Sequence, residues 1–176
     1  EYLILELDAS KGLDEQEHFR TTSSKIVKAA AERKQETFTL VATGANIEEI
    51  GSIIDGIYLA DYSYDRYKSK PTPSTLQEVT VRVSPEVLAK ARALATTKEI
   101  TFSGVYLTRD LINTPGGDLT PEIYVDIIEE TFKGKKNVDL KVRDEKQLQE
   151  EGFMGLITVG RGGQNPPRMV TLSYTP

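Results

Sequence analysis

The sequence predicts an α/β protein: a small α/β unit, a long linking helix, and the first strands of a second, incomplete α/β unit. Three observations carry that reading. In both halves of the chain, stretches with apolar residues at every second position alternate with stretches whose apolar residues recur every three or four, as strands interleaved with helices do, and such alternation favours largely parallel pairing. After Pro85 no proline or glycine occurs until Gly104, so one helix has room to run unusually long. That helix stops at Asn113-Thr114-Pro115-Gly116-Gly117, and Thr120-Pro121 starts the next.

Taken in order, residues 2–8 read as an apolar strand, and residues 15–34 as a helix with Phe19, Ile26, Val27, Ala30 and Ala31 at helical spacing. Phe38, Leu40 and Ala42 alternate along a strand from Glu36 to Thr43. Gly44 turns the chain, and Asn46 caps a helix from Ile47 that carries Ile50, Ile54, Ile57 and Tyr58 on one side. A linker with Pro71 and Pro73 leads to a strand over residues 76–83. Ser84 as N-cap and Pro85 at the first helical position open the long helix, which is expected to reach Ile112 and rise about 40 Å. Thr96, Thr97 and Gly104 are its weak points.

The next helix, from Pro121, is expected to bury Ile123, Ile127, Ile128 and Phe132 and to end at Gly134. Val138, Leu140 and Val142 mark a strand, and Asp144 with Gln147 forms a capping-box pattern for a short helix to about Gly152. Residues 155–160 read as a buried strand, 161–167 as a loop, and 168–174 as a strand with Val170, Leu172 and Tyr174 on one face. The expected organisation is 1–84 for the first unit, 85–112 for the linking helix and 113–176 for the start of the second.

Composition narrows the function classes. No apolar run approaches the roughly 20 residues of a membrane-spanning helix, and the acidic, short apolar start at Glu1 is no signal peptide. Glu1 is not an initiator methionine, so a further or processed N-terminal segment is expected. The absence of cysteine excludes disulfides, thiolate nucleophiles and cysteine-bound zinc, and fits a reducing, cytoplasmic compartment. A net charge of -5 argues against nucleic acid as partner. The basic run Lys133-Gly134-Lys135-Lys136 reads as a solvated turn.

No constellation of catalytic side chains stands out. His18 is the only histidine and reads as an exposed helix residue. Glu48, Glu49, Glu122, Glu129, Glu130, Glu150 and Glu151 fall on helix starts or exposed faces, and neighbours such as Glu129 and Glu130 do not face one ion from a helix. Gly160-Arg161-Gly162-Gly163 has the composition of an anion loop, but no helix is expected after it to supply the attraction. Tyr58, Tyr62, Tyr64 and Tyr67 cluster beside Asp61 and Asp65, which favours packing against the linker or another subunit over stacking on bases. Arg109 and Asp110 either pair to lock the Pro-Gly-Gly turn or lie on solvated surface.

Several motifs together resemble the leucyl (cytosol) aminopeptidase family. Gly56-Ile57-Tyr58-Leu59-Ala60-Asp61-Tyr62-Ser63-Tyr64-Asp65-Arg66-Tyr67-Lys68 is similar to that family's Gly-x-x-Leu-Ala-x-Tyr-x-Phe-Asp-x-Tyr-Lys segment, with Tyr64 in place of Phe. Arg109-Asp110-Leu111-Ile112-Asn113-Thr114-Pro115, then Leu119-Thr120-Pro121, match its Arg-Asp-Leu-x-Asn-x-Pro and Leu-Thr-Pro, although Gly116-Gly117 replaces a bulkier pair. Gly155 through Pro167, followed by Arg168-Met169-Val170, resembles the segment opening its catalytic domain.

The resemblance implies a macro-like N-terminal domain, a linking helix and a catalytic domain with two divalent metals, Zn or Mn. It also implies a homo-hexamer that releases N-terminal amino acids from peptides. The family's Lys-Gly-x-x-x-Asp-x-Gly-Gly and Asn-Thr-Asp-Ala-Glu-Gly-Arg motifs are not in this sequence, so no catalytic, metal or substrate-binding residue is carried over, and this chain alone is expected to be inactive. The alternative is a non-catalytic macro-like module for a ligand such as ADP-ribose, or an assembly subunit.

Overall fold

The computed structural model describes residues 14–71 and 74–176. The strand expected over residues 2–8 lies outside them. The described chain is mixed α/β: α1 (Glu15–Glu32), β1 (Thr37–Val41), α2 (Ile47–Asp61), β2 (Glu78–Arg82), α3 (Leu88–Asn113), α4 (Pro121–Phe132), β3 (Val138–Arg143), α5 (Glu145–Glu150), α6 (Met154–Gly160) and β4 (Met169–Tyr174). It divides into two compact units, one up to Asp110 and one from Leu111 to Pro176.

In the first unit, β1 and β2 pair in parallel, Thr37 opposite Glu78 through Val41 opposite Arg82, with α2 between them in sequence. The start of α2 is set by local chemistry. The Asn46 side chain accepts from the amides of Glu48 (2.9 Å) and Glu49 (3.0 Å), and Glu49 returns a bond to the Asn46 amide at 2.7 Å. Ile50, Ile53 and Ile54 are buried, and Ile50, Ile54 and Ala91 of α3 form one core cluster with Tyr58 and Val87 packed against it.

The crossing of α1 over α2 depends on two small residues. Ser23 is 1% exposed and satisfies its hydroxyl on the carbonyls of Phe19 (2.9 Å) and Arg20 (3.1 Å) of its own helix. Gly56 lies against it, and the Ser24 hydroxyl donates across to the Gly56 carbonyl at 2.9 Å. Beside this contact Asp55 accepts Lys98 at 2.6 Å and faces Arg20 at 3.9 Å, so one half-buried carboxylate links α1, α2 and α3. His18 is half-buried on α1 rather than exposed as expected, and Ile26 is half-buried while Val27 and Ala30 form the buried line with Ser23.

The long helix is continuous through Thr96, Thr97 and Gly104. The hydroxyls of Thr96, Thr97 and Thr101 fold back onto carbonyls four residues earlier, so they do not interrupt it. Its start differs from the sequence reading. Residues 85–87 form a turn, the helix begins at Leu88, and the Ser84 hydroxyl bonds the Thr43 carbonyl instead of capping. The tie to the strand end outcompetes the local cap.

In the second unit, Thr120 caps α4 by accepting from the Ile123 amide at 3.3 Å, with Pro121 at the first helical position. The buried position is Val125, while Ile123 is 41% exposed. Of the expected face, Ile127, Ile128 and Phe132 are half-buried and only Ile123 turns outward; Val125 was not among the expected positions, because apolar residues stand nearly all round that turn. β3 and β4 pair antiparallel, Val138 opposite Tyr174 through Arg143 opposite Met169, which corrects the parallel expectation for this half.

A second correction concerns residues 155–160, read as a buried strand and found as helix α6, with only Ile157 fully buried. A six-residue apolar run is ambiguous between the two states. The deciding feature is upstream. Gly152 takes a left-handed φ of 82°, its amide bonds the Gln149 carbonyl at 3.3 Å, and the Phe153 amide bonds the Leu148 carbonyl at 2.9 Å. That Schellman closure ends α5 and leads directly into a second helical segment.

Candidate functional site

The carboxylates provide the first test for a metal centre. A dinuclear centre needs several converging carboxylates that are not already neutralised. Here the grouped ones have cationic partners. Asp55 meets Lys98 and Arg20, and Glu151 meets Arg143 at 2.6 Å and Lys141 at 3.8 Å. Glu130 meets Lys133 at 3.0 Å, and Glu150 meets Lys146 at 3.8 Å. Glu49 is used in the capping box of α2, and Glu122 sits in the first turn of α4. Among the described residues no three His, Asp or Glu side chains gather as metal ligands, and these residues do not fit a two-metal site.

The glycine-rich turn after α6 has its amides engaged. Gly162 donates to the Val159 carbonyl at 3.2 Å and Gly163 to the Gly160 carbonyl at 3.0 Å, so both amides continue the end of the helix instead of pointing at an anion. The turn is held by Pro167, whose ring would stand 2.8 Å from a Cβ placed on Gly160. Arg143, at the end of β3, is a separate hub: it pairs with Glu151, donates to the Thr171 hydroxyl at 3.1 Å and sits 5.9 Å from the Phe153 ring centre.

The tyrosines form the most organised polar-aromatic cluster in the first unit. Tyr58 stacks on Phe102 at 4.8 Å and 9°, Tyr106 meets both rings edge-on at 6.4 Å, and Tyr62 lies 5.3 Å from Tyr106. The Tyr106 hydroxyl donates to the Tyr58 carbonyl at 2.5 Å. Arg109 lies 4.9 Å over the Tyr62 ring and donates to the Leu59 carbonyl at 3.4 Å, while the Tyr62 hydroxyl donates to Asp110 at 2.8 Å. Packing, not base stacking, is what Tyr58 and Tyr62 do, and their partner is the long helix. Arg109 and Asp110 both reach back to α2. The spacing of Phe102, Tyr106 and Arg109 on one helical face was a legible sign of this contact, and the sequence reading did not use it.

Burial pushes the Tyr106 phenol up to about 12, helped by Asp61 and Tyr58 and opposed by Arg109. Tyr58 is raised in the same direction, first by burial and then by Glu99. The unfolded chain ionises a tyrosine near ~10. The neutral Tyr106 phenol therefore contributes stability that is intact below about 10 and is lost as pH climbs through that value toward 12. Tyr106→Phe is expected to flatten this part of the alkaline stability curve and to remove the last-ionising phenol from an ultraviolet titration. An unchanged curve would show that the hydroxyl is not held as described.

A cleft of about 550 Å³ opens in the same unit between α2, α3 and β2, walled by Ile54, Tyr58, Val79, Val81, Leu88 and Ala91. Its charged residues are Asp61, Glu78 and Arg92. In the second unit a smaller groove of about 280 Å³ runs between α4 (Tyr124, Val125, Ile128) and β4 (Arg168, Val170, Leu172). No helix of the described residues is long and apolar enough to cross a membrane.

Residues 106–176, the end of α3 and all of the second unit's elements, match the family model described as the cytosol aminopeptidase family, catalytic domain. The chain belongs to the cytosol aminopeptidase family. A probable cytosol aminopeptidase of Tropheryma whipplei is 34% identical over 133 residues, covering 73% of this chain and 26% of that protein. One from Persephonella marina is 25% identical over 182 residues, covering 100% of this chain and 36% of the relative. The chain therefore spans about a quarter to a third of the length of the curated relatives it matches.

Among solved structures, the bottromycin maturation enzyme BotP in complex with Mn is 33% identical, with a TM-score of 0.77 over 94% of this chain and 34% of BotP. A tomato leucine aminopeptidase variant has the same TM-score of 0.77 at 18% identity, which speaks to the fold. The motif segments quoted above fall at structural junctions of this chain: the end of α2, the end of α3, the start of α4, and α6 with its turn.

Proposed function

We propose that this chain is part of a dinuclear metal-dependent aminopeptidase that releases N-terminal, leucine-type residues from peptides, and that it contributes scaffold and assembly surface to that activity. The observation that carries this reading is the match of residues 106–176 to the family's catalytic-domain model, joined by 33% identity to a Mn-bound relative over nearly the whole chain. Two metals, Mn or Zn, belong in this reading to the portion of the relatives that this chain does not span, since the described side chains do not fit them. The working enzyme is a cytoplasmic homo-hexamer. Residues 1–84 form its macro-like unit, 85–112 the linking helix and 113–176 the start of the catalytic unit, a division supported by the course of α3 and the onset of the family match.

The test is direct. The 176-residue chain, loaded with manganese or zinc at millimolar concentration, is mixed with a chromogenic leucine amide. Release no faster than in buffer is expected. Turnover that scales with chain concentration and stops on adding a chelator would place the catalytic ligands within these residues and overturn the proposal.

A further inference from the structure

The outer edge of β2 is open. The Arg82 carbonyl accepts the Ala42 amide at 2.8 Å, and the Glu78 amide donates to the Glu36 carbonyl at 3.3 Å. Residues 78, 80 and 82 thus turn their backbone groups toward β1, and the amides and carbonyls of Val79 and Val81 point the other way. Among the described residues no strand pairs on that side, since β1 and β2 form a sheet of two. The same edge is one wall of the 550 Å³ cleft, which touches every residue from Leu76 to Val81. Its other walls are apolar: Ile54 and Tyr58 from α2, Leu88 and Ala91 from α3. A strand edge beside an apolar trough offers main-chain hydrogen bonds and side-chain pockets together.

The charges give the cleft a direction. α2 and α3 run side by side the same way, because Ile50 and Ile54 meet Ala91, Asp55 meets Lys98, and Tyr58 stacks on Phe102. Arg92 therefore stands level with the stretch around Ile54, and Asp61 lies about two turns further on, roughly 10 Å at 1.5 Å per residue. Ser74, four residues before β2, donates to Asp61 at 2.7 Å, so the end of α2 sits at the start of β2, where Glu78 also stands. Among the described residues Asp61, Glu78 and Arg92 have no ion-pair partner.

We propose that the cleft binds a short extended peptide, about three residues long, which adds to β2 as a parallel strand. Its free ammonium meets Asp61 and Glu78, and its carboxylate meets Arg92. Unpaired acids at one end and an unpaired base about 10 Å away complement a zwitterion of that length, since three residues of strand span about 10 Å. The parallel ladder fixes the register. The central residue stands opposite Thr80, donates its amide to the Val79 carbonyl and accepts from the Val81 amide. The first and third side chains then face the apolar floor with Val79 and Val81, and the second faces water with Thr80, which is exposed. The cleft lies wholly within residues 50–95, so it takes a peptide whether or not the longer enzyme cleaves one.

Calorimetry of the whole chain with the tripeptide Leu-Ser-Leu should show saturable binding in the high micromolar range. Acetylating the peptide's amino terminus should weaken it at least tenfold. Methylating the central amide nitrogen should do the same, because it removes the ladder donor and leaves both charges in place. Asp61→Asn should weaken the free peptide severalfold and leave the acetylated one unchanged, a pattern that unfolding does not produce. Hydrogen exchange followed by nuclear magnetic resonance should show the Val81 amide slowed when peptide is bound. Chromatography of the recovered peptide keeps binding apart from hydrolysis, and the two modified peptides keep the test decisive where the Asp61 variant misfolds. No saturable heat at millimolar peptide overturns the site. So does equal binding of the acetylated or N-methylated peptide, or new protection that leaves Val81 unchanged.

Discussion

Gly56→Ala is expected to destabilise the first unit by about 2 kcal/mol or more, against the usual trend for glycine in a helix. Alanine in place of a helical glycine ordinarily gains up to ~1 kcal/mol of propensity. At position 56 the new Cβ would overlap both the Ser23 hydroxyl oxygen and the Arg20 carbonyl oxygen. The second of these is backbone, so no rotamer change relieves it. α1 has to move away from α2, which stretches the Ser24-to-Gly56 hydrogen bond and opens the contact around Val27, and forced overpacking of this kind costs about 1–3 kcal/mol beyond the propensity it cancels. Urea unfolding followed by far-ultraviolet dichroism measures the change. Gly104→Ala supplies the contrast, because its Cβ meets nothing within 4 Å, and it is expected to stabilise. If both substitutions shift the midpoint the same way, the close approach of α1 and α2 is wrong.

Leu148→Ala is expected to cost the second unit about 2–5 kcal/mol. Leu148 is 0% exposed on α5, a helix of six residues that packs against α6 and β3. Ile157, at 2% exposed, is the other fully buried anchor of this unit. A unit with so few fully buried side chains has little stability to spare, so removing one large one is expected to abolish protection of amides in β3 and β4 while those in α1 and α2 stay protected. Hydrogen exchange resolves the two groups. Retained protection in β3 would mean the core is centred elsewhere.

The resemblance to aminopeptidases was legible because its motifs sit where backbone geometry constrains residue choice. Thr120-Pro121 at the start of α4 and the Gly-rich turn after α6 survive in the sequence as signatures, since few residue types perform those local tasks. The alternation at β1 and the capping boxes of α2 and α5 were readable for the same reason: both partners of each interaction lie within a few residues. The partner of the Tyr58 and Tyr62 rings, the role of Arg109 and the reason Gly56 is glycine were not readable, because each depends on a residue more than thirty positions away. The ion pairs that occupy Asp55 and Glu151 were not readable either, since Asp55 meets Lys98 more than forty positions away.

By itself the chain determined its class and most of its element boundaries, since helix starts, stops and strand alternation are written in neighbouring residues. Tertiary structure decided the rest. Residues 155–160 became helix, with Ile157 buried in the second unit's core. β4 paired antiparallel with β3, and Ser84 left its cap to hold Thr43. In each case two local states lay close in free energy, and a contact made only on folding supplied the difference.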